Sequence, residues 1–400
     1  MNTDIEDEVT RWRAETPGCR NVVHLNNAGS SLPPSPVLDA VTRHLRLEAE
    51  YGGYEAADAA AGALEQVYAS IGTLIGADAA EVALVENATR AWDMAFYSIP
   101  FAPGDRVLTC VSEYASNYLA FLQLRDSRGV EIVVVPDDDA GEIDLDALAR
   151  AASHERTRLI AITHIPTNGG VVNPAAEVGR IARENGVLYL LDACQSVGQL
   201  EVDVDAIGCD FLSATGRKFL RGPRGTGFLY ARAATTADLH PPLIDLHAAT
   251  WVTRDSYELR PDARRFENWE SYVAGRLGLG AAADYALAIG LDRIETRVVA
   301  LAARLRAMLT EIPGITVYDK GRRPSGIVTF AHDRLRAQRI SGRLREQRVN
   351  TSYAKASSTR LDHERRGLPE LVRASVHYFT TDGELEELTR ALRKMIDEDS

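Results

Sequence analysis

Between Ala80 and about Tyr230, short apolar runs alternate with segments whose apolar residues recur every three or four positions. The runs Val82–Val85, Arg106–Cys110, Glu131–Val135, Leu159–Thr163, Leu188–Asp192, Phe211–Ala214 and Gly227–Tyr230 read as strands. Thr89–Tyr97, Tyr118–Ser127, Leu145–Ala152 and Pro174–Asn185 read as helices, the last closed by Gly186. Such alternation predicts an α/β fold, a mostly parallel sheet sandwiched by helices. Upstream, the pattern predicts a helix over Asp4–Glu15, a short strand Val22–Leu25, a turn-rich Asn26–Pro34 and a helix Pro36–Glu50 broken at Gly52-Gly53. Ala56–Ala63 reads as helix or as a loop beside a site.

Beyond Pro241 the character changes. Arg254–Glu267 is charged and irregular, and an Ala/Leu/Gly-rich helical pattern covers Ser271–Leu309. A strand (Gly326–Ala331), a helix (Arg334–Gln347), a polar loop (Thr351–Asp362), a strand (Leu371–His377) and a final helix from Asp382 follow, an order that suits a smaller α+β domain. The expected division is an arm, 1–24, packing on the small domain, a large domain, 25–270, and a small domain, 271–400, that includes a connecting helix.

The composition, 45% apolar and 26% charged over 400 residues, is that of an ordinary soluble chain. A net charge of -12 argues against a nucleic-acid partner. No apolar stretch is long enough for a membrane span, and the acidic N-terminus does not read as a signal peptide. Cys19, Cys110, Cys194 and Cys209 form no C-x-x-C pair and no zinc-ligand spacing, so a reducing cytoplasm and no metal are expected.

Against that background one cluster stands out. Asp192 ends an apolar run, and Lys218 lies in Thr215-Gly-Arg-Lys-Phe-Leu-Arg-Gly-Pro-Arg-Gly-Thr-Gly227. A lysine amine can form a Schiff base with pyridoxal phosphate, a hydroxyl and a guanidinium can meet its phosphate, and a carboxylate can keep its pyridine nitrogen protonated. Glu86-Asn-Ala-Thr-Arg90 joins a strand to a helix, where free N–H groups and the helix dipole favour an anion, although Asn and Thr also serve there as plain N-caps. Arg373, in a strand, suits bidentate capture of a carboxylate or a surface ion pair, and Tyr114 could stack on a ring or fill core.

Taken in order, these motifs resemble the fold-type I pyridoxal-phosphate enzymes of the class V aminotransferase and cysteine desulfurase superfamily, from Leu25-Asn-Asn-Ala-Gly29 to Arg373-Ala-Ser-Val-His-Tyr378. The resemblance implies a cofactor-binding large domain with Lys218 as the Schiff-base lysine and Asp192 on the pyridine nitrogen. It implies Ala88, Thr89, Arg90 and Thr215 around the phosphate, Tyr114 on the ring and Gln195 on the phenolic oxygen. Arg217 stands where the family usually has histidine, and a substrate-facing asparagine falls at Thr167 or Asn168. Arg373 would grip the substrate carboxylate, with Asn27 and Tyr54 also at the substrate. A homodimer with shared active sites is implied, Thr250 reaching the neighbouring subunit's phosphate.

The implied chemistry is that of a lyase or aminotransferase acting on an α-amino acid through an external aldimine and quinonoid. β-Elimination or replacement on a cysteine-like substrate is the leading expectation, with transamination and epimerisation as alternatives and a non-catalytic cofactor-binding regulator as the remote one. Glu48–Tyr54 and Arg217–Arg224 are similar to the branch that holds C–S lyases and isopenicillin N epimerase-like proteins. Desulfurases carry a nucleophilic cysteine on a small-domain loop. Here that loop, Asn350–Arg360, has none, so a cysteine desulfurase is not expected.

Overall fold

The computed structural model describes residues 3–399. A seven-stranded sheet forms its centre, in the spatial order Val82–Val85, Gly227–Ala231, Phe211–Thr215, Leu188–Asp192, Thr157–Thr163, Arg106–Cys110, Glu131–Val135. All neighbours are parallel except Gly227–Ala231, which runs antiparallel to both of its neighbours. Two reversals restore the original sense, so Val82–Val85 ends on the same edge as the parallel strands. The middle strands are buried along their length, which is why they read as continuous apolar runs rather than alternating ones. On one face Trp92, Phe96 and Phe121 pack together, with Phe96 and Phe121 meeting edge to face at 5.4 Å.

The second sheet, Ile315–Val317, Ile327–His332, Leu371–Ser375, Ser352–Ala354 in spatial order, is antiparallel throughout. Its strand Leu371–Ser375 carries Arg373 opposite Thr329 and Ser352. The segment Ser271–Leu309, expected as one helix, is two, Val273–Ile289 and Leu291–Thr310. Gly290 between them has φ +97°, a backbone that L side chains rarely adopt. Arg254–Glu267, expected as irregular, contains half of a hairpin, Ala249–Thr253 with Ser256–Leu259. Its side chains are largely exposed, so no apolar alternation marks it. The loop expected over Thr351–Asp362 holds the strand Ser352–Ala354 and the start of the helix Arg360–Arg366. Among the described residues, no helix is long and apolar enough to cross a membrane.

The N-terminal helix Thr3–Ala14 lies against the C-terminal segment. Arg13 donates to the Phe379 carbonyl at 3.0 Å and to Glu384 at 2.7 Å, and Trp12 meets Tyr378 edge-on at 5.2 Å. Val23–His24 then adds in parallel to Val349–Asn350, which brings the following turn over the end of the large sheet. Arg221 joins these parts. Its buried guanidinium donates to Thr16 Oγ1 at 2.6 Å, to the Leu32 carbonyl at 2.9 Å and to the Tyr378 hydroxyl, and lies 4.4 Å from the Phe379 ring centroid. Replacing it strips three buried acceptors and leaves a void beside two rings. Arg221→Ala is therefore expected to cost about 3 kcal/mol in urea unfolding of the purified protein; a loss under about 1 kcal/mol would show that this contact does not hold the parts together.

Candidate active site

In an open parallel sheet, ligands gather where the strands end and the helices begin. The parallel strands of this sheet deliver Glu113 and Tyr114 after Arg106–Cys110, Thr167 after Thr157–Thr163, Gln195 after Leu188–Asp192 and Lys218 after Phe211–Thr215. Lys218 is half-buried, with its ammonium 6.0 Å from the centre of the Tyr114 ring. Burial lowers its pKa, against the pull of the neighbouring Cys194 and Asp192, while Arg217 and Arg373 push in the same direction as burial. A lysine treated this way is more often the free amine, the form that can act as nucleophile or accept a proton, than a solvated one.

Asp192 is buried and tied down on both oxygens. Cys194 N donates to Oδ1 and Asn117 Nδ2 to Oδ2, each at 2.9 Å. The same Asn117 amide donates to Glu113 Oε1 at 2.9 Å. Glu113, also buried, takes further donors from Thr109 Oγ1 (2.8 Å), Tyr114 N (2.8 Å) and Thr163 Oγ1 (2.6 Å). Burial raises its pKa to about 7; the bonds from Thr163, Asn117 and Thr109 oppose this, and the Asp192 charge adds to it.

On the other side Arg373 donates to the Thr167 hydroxyl at 2.8 Å, the Thr167 carbonyl at 3.0 Å and Asn26 Oδ1 at 3.2 Å. It makes no ion pair among the described residues, and its Nε is buried without a partner. Burial, then the Arg217 charge, lowers its pKa to about 10, with Tyr114 acting in the opposite sense. Gln195 Nε2 donates to the Ala28 carbonyl at 3.1 Å and to Thr167 Oγ1 at 3.3 Å, leaving Oε1 buried and unpaired. Arg217 donates to the Gly29 carbonyl, so Arg217 and Arg373 hold opposite ends of the turn Asn26–Gly29.

The sequence leaves Thr167 and Asn168 open; here Thr167 joins Arg373 and Gln195, whereas Asn168 turns to Lys355 and Thr359. Asn27 is turned away from the cleft. Its amide goes to the Ser375 and His24 carbonyls and its oxygen accepts from Ser31, and it is Asn26 that meets Arg373. Arg90 reaches Asn268 at 3.2 Å. Tyr54 is exposed on the helix Gly53–Ala59, and Thr250 is exposed on the hairpin; neither bonds to a residue of the Lys218 cluster. Asn26, Thr163 and Asn117 are site residues that the sequence did not single out. Asn117 stands three positions after Tyr114, on the first turn of the helix Ala115–Arg128, a spacing that could have marked it.

A helix start borders the cleft. Asn87 caps the helix Ala88–Phe96 by accepting from Arg90 N at 2.9 Å. The Ala88 and Thr89 N–H groups have no protein acceptor among the described residues and sit at the positive helix end. A Cβ on Gly227 would lie 2.7 Å from the Ala214 carbonyl and 2.9 Å from Asn87, so this loop rests on bare backbone beside Thr215. A half-buried lysine, a donor-held aspartate and a helix start with free N–H groups together fit pyridoxal phosphate.

Comparison with known proteins agrees. The class-V aminotransferase family model matches residues 23–388. A protein of Methanothermobacter thermautotrophicus named a probable cysteine desulfurase is 33% identical, over 96% of this chain and 97% of its own. A cysteine desulfurase of Thermococcus onnurineus, solved in the apo form, superposes with a TM-score of 0.90 at 26% identity, covering 97% of this chain and 98% of that one. The cystine C–S lyase C-DES, solved with its product cysteine persulfide, shares the fold with a TM-score of 0.85 at 23% identity, over 94% and 99% of the two chains. Fold and site define a fold-type I pyridoxal-phosphate enzyme. The chain belongs to the class-V aminotransferase family, and pyridoxal phosphate is its cofactor.

One expectation is overturned. The exclusion of a cysteine desulfurase rested on the loop Asn350–Arg360, yet the 33% identical relative carries that name, as does the superposed Thermococcus structure. A missing thiol on one loop speaks to where sulfur would be accepted. It does not speak to the sheet-end residues that would handle the amino acid.

The raised pKa of Glu113 has a measurable consequence. The folded state holds this proton up to about pH 7 and the unfolded chain releases it near 4.5, so the contribution is full below 4.5 and is lost as pH rises through 7. From about pH 5 to about pH 8 the apo protein should lose about 2–3 kcal/mol through this group. Urea unfolding of Glu113→Gln should lack that component, gaining on the parent as pH rises; parallel profiles would contradict the assignment.

Proposed function

We propose that this protein cleaves the carbon–sulfur bond of a cysteine-like amino acid, with Lys218 as the catalytic base. The observation that carries the reading is Arg373, a buried guanidinium with no carboxylate partner and a free Nε, set beside Thr167 within the cleft that contains Lys218. A free carboxylate is the ligand that such a fork accepts in two parallel bonds. The relatives named cysteine desulfurases and the C–S lyase of the same fold support sulfur chemistry at the β-carbon.

The roles follow. Ala88, Thr89 and Thr215 hold the cofactor phosphate, Tyr114 covers the ring, and Gln195 offers its amide to the phenolic oxygen. Arg90 steadies the phosphate loop from behind through Asn268. Arg373 holds the substrate α-carboxylate, and Asn26 with Thr167 keeps the guanidinium aimed. Arg217 locks the same turn from its other end. When bound, pyridoxal phosphate supplies an electron sink for charge released at the α-carbon. Lys218, held more in the free-amine form by burial, would take the α-proton, and Asp192 would balance the ring nitrogen's positive charge. With the α-carbon stripped of its proton, a sulfur substituent on the β-carbon can leave.

The arm, 1–24, the cofactor domain, 25–270, and the small domain, 271–400, are proposed as the working units. A homodimer would cover the exposed Trp251, Val252 and Tyr257 of the hairpin, bringing Thr250 to the neighbouring site and Tyr54 to its mouth. The four cysteines, none paired, suit a reducing cytoplasm.

Purified holoenzyme mixed with cysteine, cystine and S-substituted cysteines should release sulfide, a persulfide and thiol respectively, each together with a keto acid and ammonia. Turnover that depends on an added keto-acid acceptor, with no sulfur released, would overturn the reading in favour of transamination. Lys218→Ala should retain the cofactor without a borohydride-fixable linkage and lose turnover. Arg373→Ala should raise KM by about 10- to 100-fold with a smaller change in kcat, the cost of losing one charged two-point contact.

A further inference from the structure

The two buried carboxylates at the sheet end are joined by a single amide. Asn117 Nδ2 lies 2.9 Å from Glu113 Oε1 and 2.9 Å from Asp192 Oδ2, so its two N–H bonds are divided between them. An NH2 group is suited to this, with two donors about 120° apart on one atom. Glu113 is fixed by three other donors from Thr109, Thr163 and the Tyr114 backbone, and these come from two adjacent strands and the loop between strand and helix. It forms a rigid anchor, and Asn117 is held from it.

The two Asp192 oxygens differ in consequence. Oδ1 is met by Cys194 N, part of the turn that follows the strand, whereas Oδ2 depends on Asn117, from a different element. Each N–H bond to a carboxylate stabilises the ionised form over the protonated one. A proton shared between Asp192 and the ring nitrogen of bound pyridoxal phosphate would stay on the nitrogen as long as the carboxylate is the weaker base. We propose that Asn117 is a positioning residue that, anchored on Glu113, fixes the Asp192 carboxylate and engages its Oδ2, and thereby keeps the shared proton on the cofactor ring. The inference concerns the cofactor alone and stands or falls independently of the substrate proposed above.

The proton's position can be read without turnover, from the nitrogen resonance of holoenzyme reconstituted with ring-15N pyridoxal phosphate. Asn117→Ala should shift the equilibrium by about tenfold towards Asp192, the value of one hydrogen bond to a charged group. The resonance then moves towards its unprotonated position. Thr163→Val is the control: it takes a comparable donor from Glu113 and none from Asp192, so it should lower the melting temperature while leaving the resonance in place. If Asn117→Ala takes up no cofactor, Asn117→Ser, whose single hydroxyl can serve one carboxylate at a time, should give an intermediate displacement. An unmoved resonance in the Asn117 variant that binds cofactor would overturn the proposal. So would a Thr163→Val displacement as large as that of Asn117→Ala, since general loosening would then explain both.

Discussion

The constraint on which this molecule depends is the presence of two carboxylates, Glu113 and Asp192, in a water-poor sheet end. Carboxyl groups in such surroundings are tolerated when hydrogen-bond partners replace the lost water. Glu113 gathers donors from Thr109, Thr163, Asn117 and the Tyr114 backbone, and Asp192 takes Asn117 and Cys194 N. Meeting that demand brings the strand ends Arg106–Cys110, Thr157–Thr163 and Leu188–Asp192 into one frame. The same bonds aim the first turn of Ala115–Arg128, so the Tyr114 ring faces Lys218. Holding charge and shaping the cleft are one task here.

A second frame meets the first from the small sheet. The turn Asn26–Gly29 is stitched to Leu371–Ser375, Ser375 N donating to the Leu25 carbonyl at 2.8 Å and Asn27 Nδ2 to the Ser375 carbonyl at 2.7 Å. Arg373 and Arg217 then grip the turn from opposite sides. Two cations on one short turn are compatible because each meets a neutral acceptor. The arrangement stores positive potential in the cleft rather than cancelling it.

The central sheet could be read from the sequence almost strand by strand because its middle strands are buried on both faces, and burial makes them continuous apolar runs bounded by turns. Lys218 and Asp192 stood out in the sequence for a related reason: a charge at the end of an apolar run is costly enough to need a purpose. Where burial is absent the pattern falls silent, and the exposed strand Ser256–Leu259 was read as part of an irregular stretch. The Gly290 break passed unseen because apolar residues at helical spacing continue on both sides of it. Asn117 and Asn26 escaped because a polar residue near a helix start or a turn has a local explanation, as cap or turn former, that the sequence alone does not separate from long-range bonding. Asn27 was misassigned to the substrate because adjacent turn residues point in opposite directions, and one position decides which faces the cleft.

Arg373 shows how such a cleft trades stability for binding. A guanidinium buried without a counter-ion raises the energy of the empty protein, and its lowered pKa, about 10, expresses that cost. Thr167 and Asn26 satisfy part of its hydrogen-bonding capacity, and Nε stays unpaired. An arriving carboxylate need not displace an existing ion pair, so its charge is met by a cation already stripped of water and already aimed. Ground-state destabilisation of the empty site and affinity for an anion are thus the same free energy seen from two sides. A glutamate placed nearby to relieve Arg373 would stabilise the fold and close the cleft to the ligand it is built to receive.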